Sequence, residues 1–164
     1  MPNPKIKIEP TSFGLRLEKF TVLSVAVMFG LTIYYYGFLP DNIPHHFNAS
    51  VEPDAWGGKW VLLVIPIVGL ALYYFLKWTS RHPNIGNYPV KITETNAPRQ
   101  YQLAIRMMQA LNLTIQLLLL CILVMMIRTG MGGSTFLIKL VMYGLVAVLF
   151  GVLGTYFYKA LQKE

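Results

Sequence analysis

The chain has one cysteine, only seven carboxylates and almost no charge inside its longest apolar runs. A lone Cys121 excludes an intramolecular disulfide and leaves the redox compartment open. Its place within an apolar run makes it a small core residue. There is no zinc-protease helix motif, no glycine-rich nucleotide loop and no credible hydrolase triad. No Asp, Glu or His is expected at mid-membrane depth, so the usual marks of a proton relay or an ion-coupled transporter are missing. Catalysis therefore has little support.

What the chain has is hydrocarbon. With 55% hydrophobic and 13% charged residues in 164, it is too apolar for a water-soluble domain of this size. Four runs, about residues 20–39, 60–78, 107–127 and 135–158, reach the roughly 20-residue length that crosses an apolar layer of about 30 Å. Their only charges are Lys77 and Lys139, near span ends, where long side chains snorkel to the interface. The expected fold is an all-α integral membrane protein of four transmembrane helices. The first run exceeds the 7–15 residues of a signal-peptide core and no small-x-small site follows it, so it reads as a retained helix.

The net charge of +7 belongs to topology rather than to nucleic acid, because the basic residues cluster beside the spans. Eleven of the fourteen lie in the N-terminal segment, the second loop and the C-terminus (Lys159, Lys163), against Lys59, Arg128 and Lys139 in the other two connections. Cytoplasmic flanks carry the excess of Lys and Arg. Both termini are therefore expected in the cytoplasm and the loop 40–59 outside.

This divides the chain into a tail over residues 1–14, a first helical hairpin over 15–78, a connector over 79–98 and a second hairpin over 99–164. The tail, with Pro2, Pro4 and Pro10, reads as flexible or surface-lying. The connector includes a short β-prone stretch, Tyr88 to Thr93, and Asn96 with Pro98 marks the start of the third helix. Tyr34, Tyr35, Tyr36, Trp56, Trp60 and Trp78 fit interfacial aromatic belts. Gly30, Gly69, Gly144, Gly151 and Gly154 allow close approach of helices. Gln109, Asn112 and Gln116, at i, i+3 and i+7, put three amides on one helix face, a stripe suited to interhelical hydrogen bonds.

Specific chemistry concentrates in residues 39–59, which hold His45, His46, Asn48, Asp41, Glu52, Asp54 and Lys59, with Pro40, Pro44 and Pro53 restricting the backbone. The binding candidates are His46, Asn48, Asp54, Trp56 and Lys59. Adjacent histidines diverge in any regular backbone, so one metal rarely takes both; a set of Asp41, His46 and Asp54, joined by His45, is the zinc alternative. Against it stands a structural lock in which His46 and Asn48 bond loop backbone. Asp54 reads as the cap or first-turn acid of a helix starting near Ala55, with Lys59 pairing to it or meeting lipid phosphate. Ile43, Phe47 and Val51 read as a plug in the bundle mouth.

The run Leu39-Pro40-x-x-Ile43-Pro44-x-His46-Phe47-Asn48, followed by Pro53-Asp54-x-Trp56-Gly57-x-Lys59, resembles a short membrane module of bacterial and archaeal proteins that includes the SdpI type. That module ordinarily has Gly where this chain has Val51. The resemblance covers the first two spans and their loop, and implies a role in immunity or signalling against a secreted peptide. The resulting expectation is a non-catalytic membrane protein, without a cofactor, whose loop recognises a peptide, lipid or partner protein. The alternatives are an accessory subunit of a larger membrane complex and a metal-binding membrane enzyme or transporter.

Overall fold

The computed structural model describes residues 3–162. Pro2 and Lys163 lie outside the described residues. The four expected spans are present as α1 (Ser12–Tyr36), α2 (Val61–Arg81), α3 (Ala97–Gly130) and α4 (Phe136–Leu161), each long and apolar enough to cross a membrane. Helix α1 begins three residues before the expected Leu15 because the Thr11 hydroxyl caps it, accepting the Gly14 amide at 3.1 Å.

The burial pattern is inverted relative to a soluble protein. Thr21, Ser24, Thr32, Asn112, Thr114 and Gln116 are inside, whereas Phe20, Leu23, Ile33, Phe75, Leu137 and Phe150 face outward. Water would penalise such a surface heavily; lipid does not, because acyl chains are as apolar as the side chains they meet. The hydroxyls of Thr21, Ser24 and Thr114 donate to carbonyls of their own helices at 2.8–2.9 Å, which satisfies them without a partner helix.

Helix α3 is the hub, packing against α1, α2, α4 and the loop between the first two helices. A cluster of Val25, Met28, Leu62, Leu123, Met126 and Ile127 fills the space among α1, α2 and α3. Gly69 lets α2 approach α3 closely: a Cβ there would stand 2.8 Å from both Gln116 Oε1 and Met28 Cε. By contrast, Cβ atoms at Gly30, Gly144, Gly151 and Gly154 would meet open space, so these four are not packing contacts within the chain. Helix α4 packs extensively only on α3, and its most apolar window has no buried residue.

The loop corrects a purely helical picture. Residues 42–58 form an antiparallel pair, β1 (Asn42–Phe47) and β2 (Pro53–Gly58), registered Asn42 to Gly58 and Phe47 to Pro53 with irregularities around His46. Conversely, the β-prone stretch near Tyr88 forms no strand; the connector holds only a single 3-10 turn, Pro83–Ile85. Pro89 removes a donor there and the stretch has no strand to pair with. Asn96 occupies the cap position of α3, but its side chain ties the preceding loop instead, accepting from the Thr93 amide at 2.9 Å and donating to the Lys91 carbonyl at 3.0 Å.

Both described chain ends and the connector gather at one end of the bundle, the β-hairpin and the α3–α4 turn at the other. The Arg99 guanidinium donates to the Lys159 carbonyl at 2.7 Å and the Gln100 amide to the Ala160 carbonyl at 3.0 Å. The N-terminal strap, residues 3–11, lies on this end: Asn3 donates to the Asn84 and Gly86 carbonyls at 3.2 and 3.1 Å, and the Tyr101 hydroxyl to the Pro4 carbonyl at 2.7 Å.

Candidate functional site: the clamped hairpin

The hairpin is held by its residues in a definite order from base to tip. At the base, Leu39 and Ile43 are buried against α3, where a Cβ on Gly130 would approach them to 2.9 and 3.1 Å. Lys59 closes the base: its ammonium lies 3.1 Å from Asp41 Oδ1, donates to the Leu39 carbonyl at 3.3 Å and sits 5.4 Å from the centre of the Tyr36 ring. Lys59 therefore partners Asp41, not Asp54. Phe47 packs on the core and Val51 is buried, in keeping with a plug over the bundle.

At the tip Asn48 makes the turn. Its side-chain oxygen accepts the Ser50 and Glu52 amides at 2.9 and 3.0 Å, while its backbone amide donates to the Glu52 carbonyl at 2.9 Å. Val51 takes a φ of +59°. That left-handed conformation costs an L residue roughly 1–2 kcal/mol, more readily tolerated by Gly. A β-branched residue therefore bears the strain of this turn. Glu52 then reaches α4, where it forms an ion pair with Lys139.

Between base and tip, His46 Nδ1 and Asp54 Oδ1 are 2.5 Å apart on an exposed face. Asp54 is a strand residue, not a helix cap: pairing with β1 carries the extended backbone to Gly58, and α2 starts only at Val61 with Trp60 in the cap position. Trp56, two residues on from Asp54, is 48% exposed. The four-residue metal set is not assembled. Asp41 belongs to Lys59 and the His45 ring lies over Gly57, which leaves only His46 with Asp54. Among the described residues, no group of three or more His, Cys, Asp or Glu could hold a metal ion.

Two amides of the stripe, Asn112 and Gln116, are buried and grip α2. Gln116 donates to the Gly69 carbonyl at 3.0 Å and Asn112 to the Tyr73 carbonyl at 3.2 Å. Gln109 faces α1 instead, its amide against Gly14, where a Cβ would come within 2.5 Å of it.

Reading the first helix from Phe20 missed an ionic contact. Glu18 on α1 and Lys77 on α2 form an ion pair with both side chains largely shielded, and the Tyr73 hydroxyl bridges them, donating to Glu18 at 3.3 Å and accepting from Lys77 at 2.9 Å. The available signal was that α1 contains a single acid and α2 a single lysine.

These features define a small polytopic helical membrane protein with a structured hairpin between its first two spans. The family described as a domain of unknown function (DUF1648) matches residues 23–70, which run from α1 through the hairpin into α2. An uncharacterized protein of Archaeoglobus fulgidus is 33% identical over 58 residues, 35% of this chain and 32% of that protein. The chain thus aligns with about a third of that relative's length. Neither match names a catalytic family. No solved structure matches.

Proposed function

We propose that this is a non-catalytic protein of a prokaryotic cytoplasmic membrane whose hairpin, exposed outside the cell, recognises a peptide or a membrane-protein partner. Immunity or envelope signalling, as in the SdpI-type module it resembles, is the specific form of that role. The observation that carries the reading is the clamping of an exposed strand pair at both ends, by Asp41–Lys59 at the base and Glu52–Lys139 at the tip. A platform ordered in advance loses less conformational entropy on binding. An exposed Trp beside a His–Asp pair also offers the aromatic-plus-polar composition of interface anchors.

The test has two arms. A cysteine at Ser50 should react with an impermeant maleimide on intact cells, while a cysteine at Asn87 in the connector should react only after lysis; the reverse pattern refutes the orientation. A photo-crosslinking residue at Trp56 should trap a discrete partner, and His46→Ala or Asp54→Ala should reduce trapping several-fold. Unchanged trapping in both variants, together with unchanged sensitivity of cells to secreted peptides, would sink the recognition role.

A second reading, an accessory subunit in a larger assembly, draws on α4, whose outward glycines meet nothing within the chain. Gentle extraction followed by size analysis tests it, and a monodisperse monomer without a co-purifying chain removes it.

A further inference from the structure

At the end opposite the hairpin, α1, α2 and α3 enclose a cavity of about 380 Å³ roofed by strap residues 6–11. Its size falls in the range of small-molecule sites, roughly 300–1,000 Å³. Leu15, Leu76, Ile105 and Met108 supply apolar wall, and the cavity runs inward to Thr21 and Asn112. Of the polar groups at that depth, the Thr21 hydroxyl donates to the Leu17 carbonyl and the Asn112 amide to the Tyr73 carbonyl, while the buried Gln109 Oε1 has no hydrogen-bond partner among the described residues.

Charge is distributed unevenly along this space. Glu18 neutralises Lys77 in the wall and Glu9 pairs with Lys7 at 2.9 Å in the roof. Arg81, the last residue of α2, also lines the cavity; it has no hydrogen bond or contact ion pair among the described residues, and its charge acts on Glu18 only at longer range. The cavity therefore combines one surplus cation with an apolar side wall, and its inner end is polar at Thr21, Gln109 and Asn112.

We propose that the cavity binds a single-chain anionic amphiphile of the fatty-acid class, its carboxylate on Arg81 and its chain lying along Ile105 and Met108. A guanidinium holds a carboxylate through two parallel hydrogen bonds, which distinguishes an acid from an alcohol of equal length. The strap, pinned through Asn3 and Pro4, covers the bound chain from the aqueous side.

The test is equilibrium binding of radiolabelled laurate to the full chain in phosphatidylcholine nanodiscs, with empty nanodiscs subtracted. Saturable binding near one laurate per chain is expected, with dodecanol competing at least tenfold more weakly. Arg81→Gln should weaken binding about tenfold or more and Arg81→Lys less than that. Met108→Trp should abolish binding by filling the cavity; Arg81→Gln, at an exposed helix end, keeps the test valid if that variant misfolds. Absence of a saturable excess, or wild-type affinity in Arg81→Gln, overturns the proposal. So does loss of laurate binding when phosphatidylglycerol replaces part of the disc lipid, which assigns the site to a phospholipid headgroup instead.

Discussion

Replacing Gly69 with leucine tests the packing on which the bundle depends. A single Cβ would meet Gln116 Oε1 and Met28 Cε at 2.8 Å and Leu119 Cδ1 at 3.5 Å. The first two atoms end flexible side chains, so alanine can be accommodated by their rotation, at the expense of the Gln116 bond to the Gly69 carbonyl. Leucine cannot, because its branched carbons extend beyond that Cβ into space already filled around the fully buried Gln116 and Met28. Overpacking costs about 1–3 kcal/mol. Separation of the helices also breaks the Gln116–Gly69 and Asn112–Tyr73 bonds, each worth about 0.6 kcal/mol in a membrane protein. Gly69→Leu should therefore lose about 2–4 kcal/mol, and Gly69→Ala about 1 kcal/mol. Gly144→Leu, where a Cβ meets nothing within 4 Å, should stay within about 0.5 kcal/mol of wild type. Reversible unfolding in mixed micelles of increasing dodecyl sulfate fraction, followed by circular dichroism, gives the three values. Equal losses for the two leucine variants would falsify the assignment of Gly69 to the α2–α3 contact.

Three smaller perturbations probe other contacts. Lys139→Glu should raise amide hydrogen exchange across residues 42–58 and cost at most about 1 kcal/mol, since Glu52 is largely exposed; the swap Glu52→Lys with Lys139→Glu should recover protection, and failure to do so means the ion pair does not clamp the tip. Thr11→Ala should remove about 1 kcal/mol through loss of the α1 cap, with fraying confined to the first turn by hydrogen exchange. Burial of Tyr88, with the Tyr156 and Tyr101 phenols adding to it, pushes its phenol above the ordinary value of 10.0. The folded chain then holds this proton more tightly than the unfolded chain, so its contribution is intact below that value and is lost as pH climbs from it toward the raised one. Tyr88→Phe should consequently flatten the alkaline fall in stability measured above pH 10; an unchanged slope rejects the burial account.

How much was legible in the sequence follows from which forces act along the chain and which act across it. Spans are long apolar runs, so their number and approximate limits could be read directly. The amide stripe could be read as well, because helical periodicity alone puts Asn112 and Gln116 on one face. The strand pair could not: Pro44 and the Gly57–Gly58 pair argue against strands, and the pairing depends on seating Ile43 against α3 and anchoring Lys59 on Asp41. Asp54 misled for the same reason, its cap-like position before an apolar run being overridden by partners across the hairpin. In the other half, Gly144, Gly151 and Gly154 share their residue type with Gly69, and only the packing of α4 on α3 shows that they face away. Val51 marks the converse case: its backbone takes a shape that favours glycine, which its residue type does not announce.

The hairpin and the N-terminal strap are tied down by contacts of different physical kinds. At the hairpin end Asp41–Lys59 and Glu52–Lys139 are contacts between full charges with at least one exposed member each. At the other end Asn3 and Tyr101 pin the strap through neutral donors and backbone carbonyls, while charged groups act on the helices beside it, in the Glu18–Lys77 pair and the Arg99 donation to the Lys159 carbonyl. In molar salt the Debye length contracts to about 3 Å, which weakens the first kind of tie and leaves the second nearly untouched. The protein should thus behave as an ionic-strength-graded hinge, with its hairpin loosening in brine while the strap and the cavity beneath it stay closed.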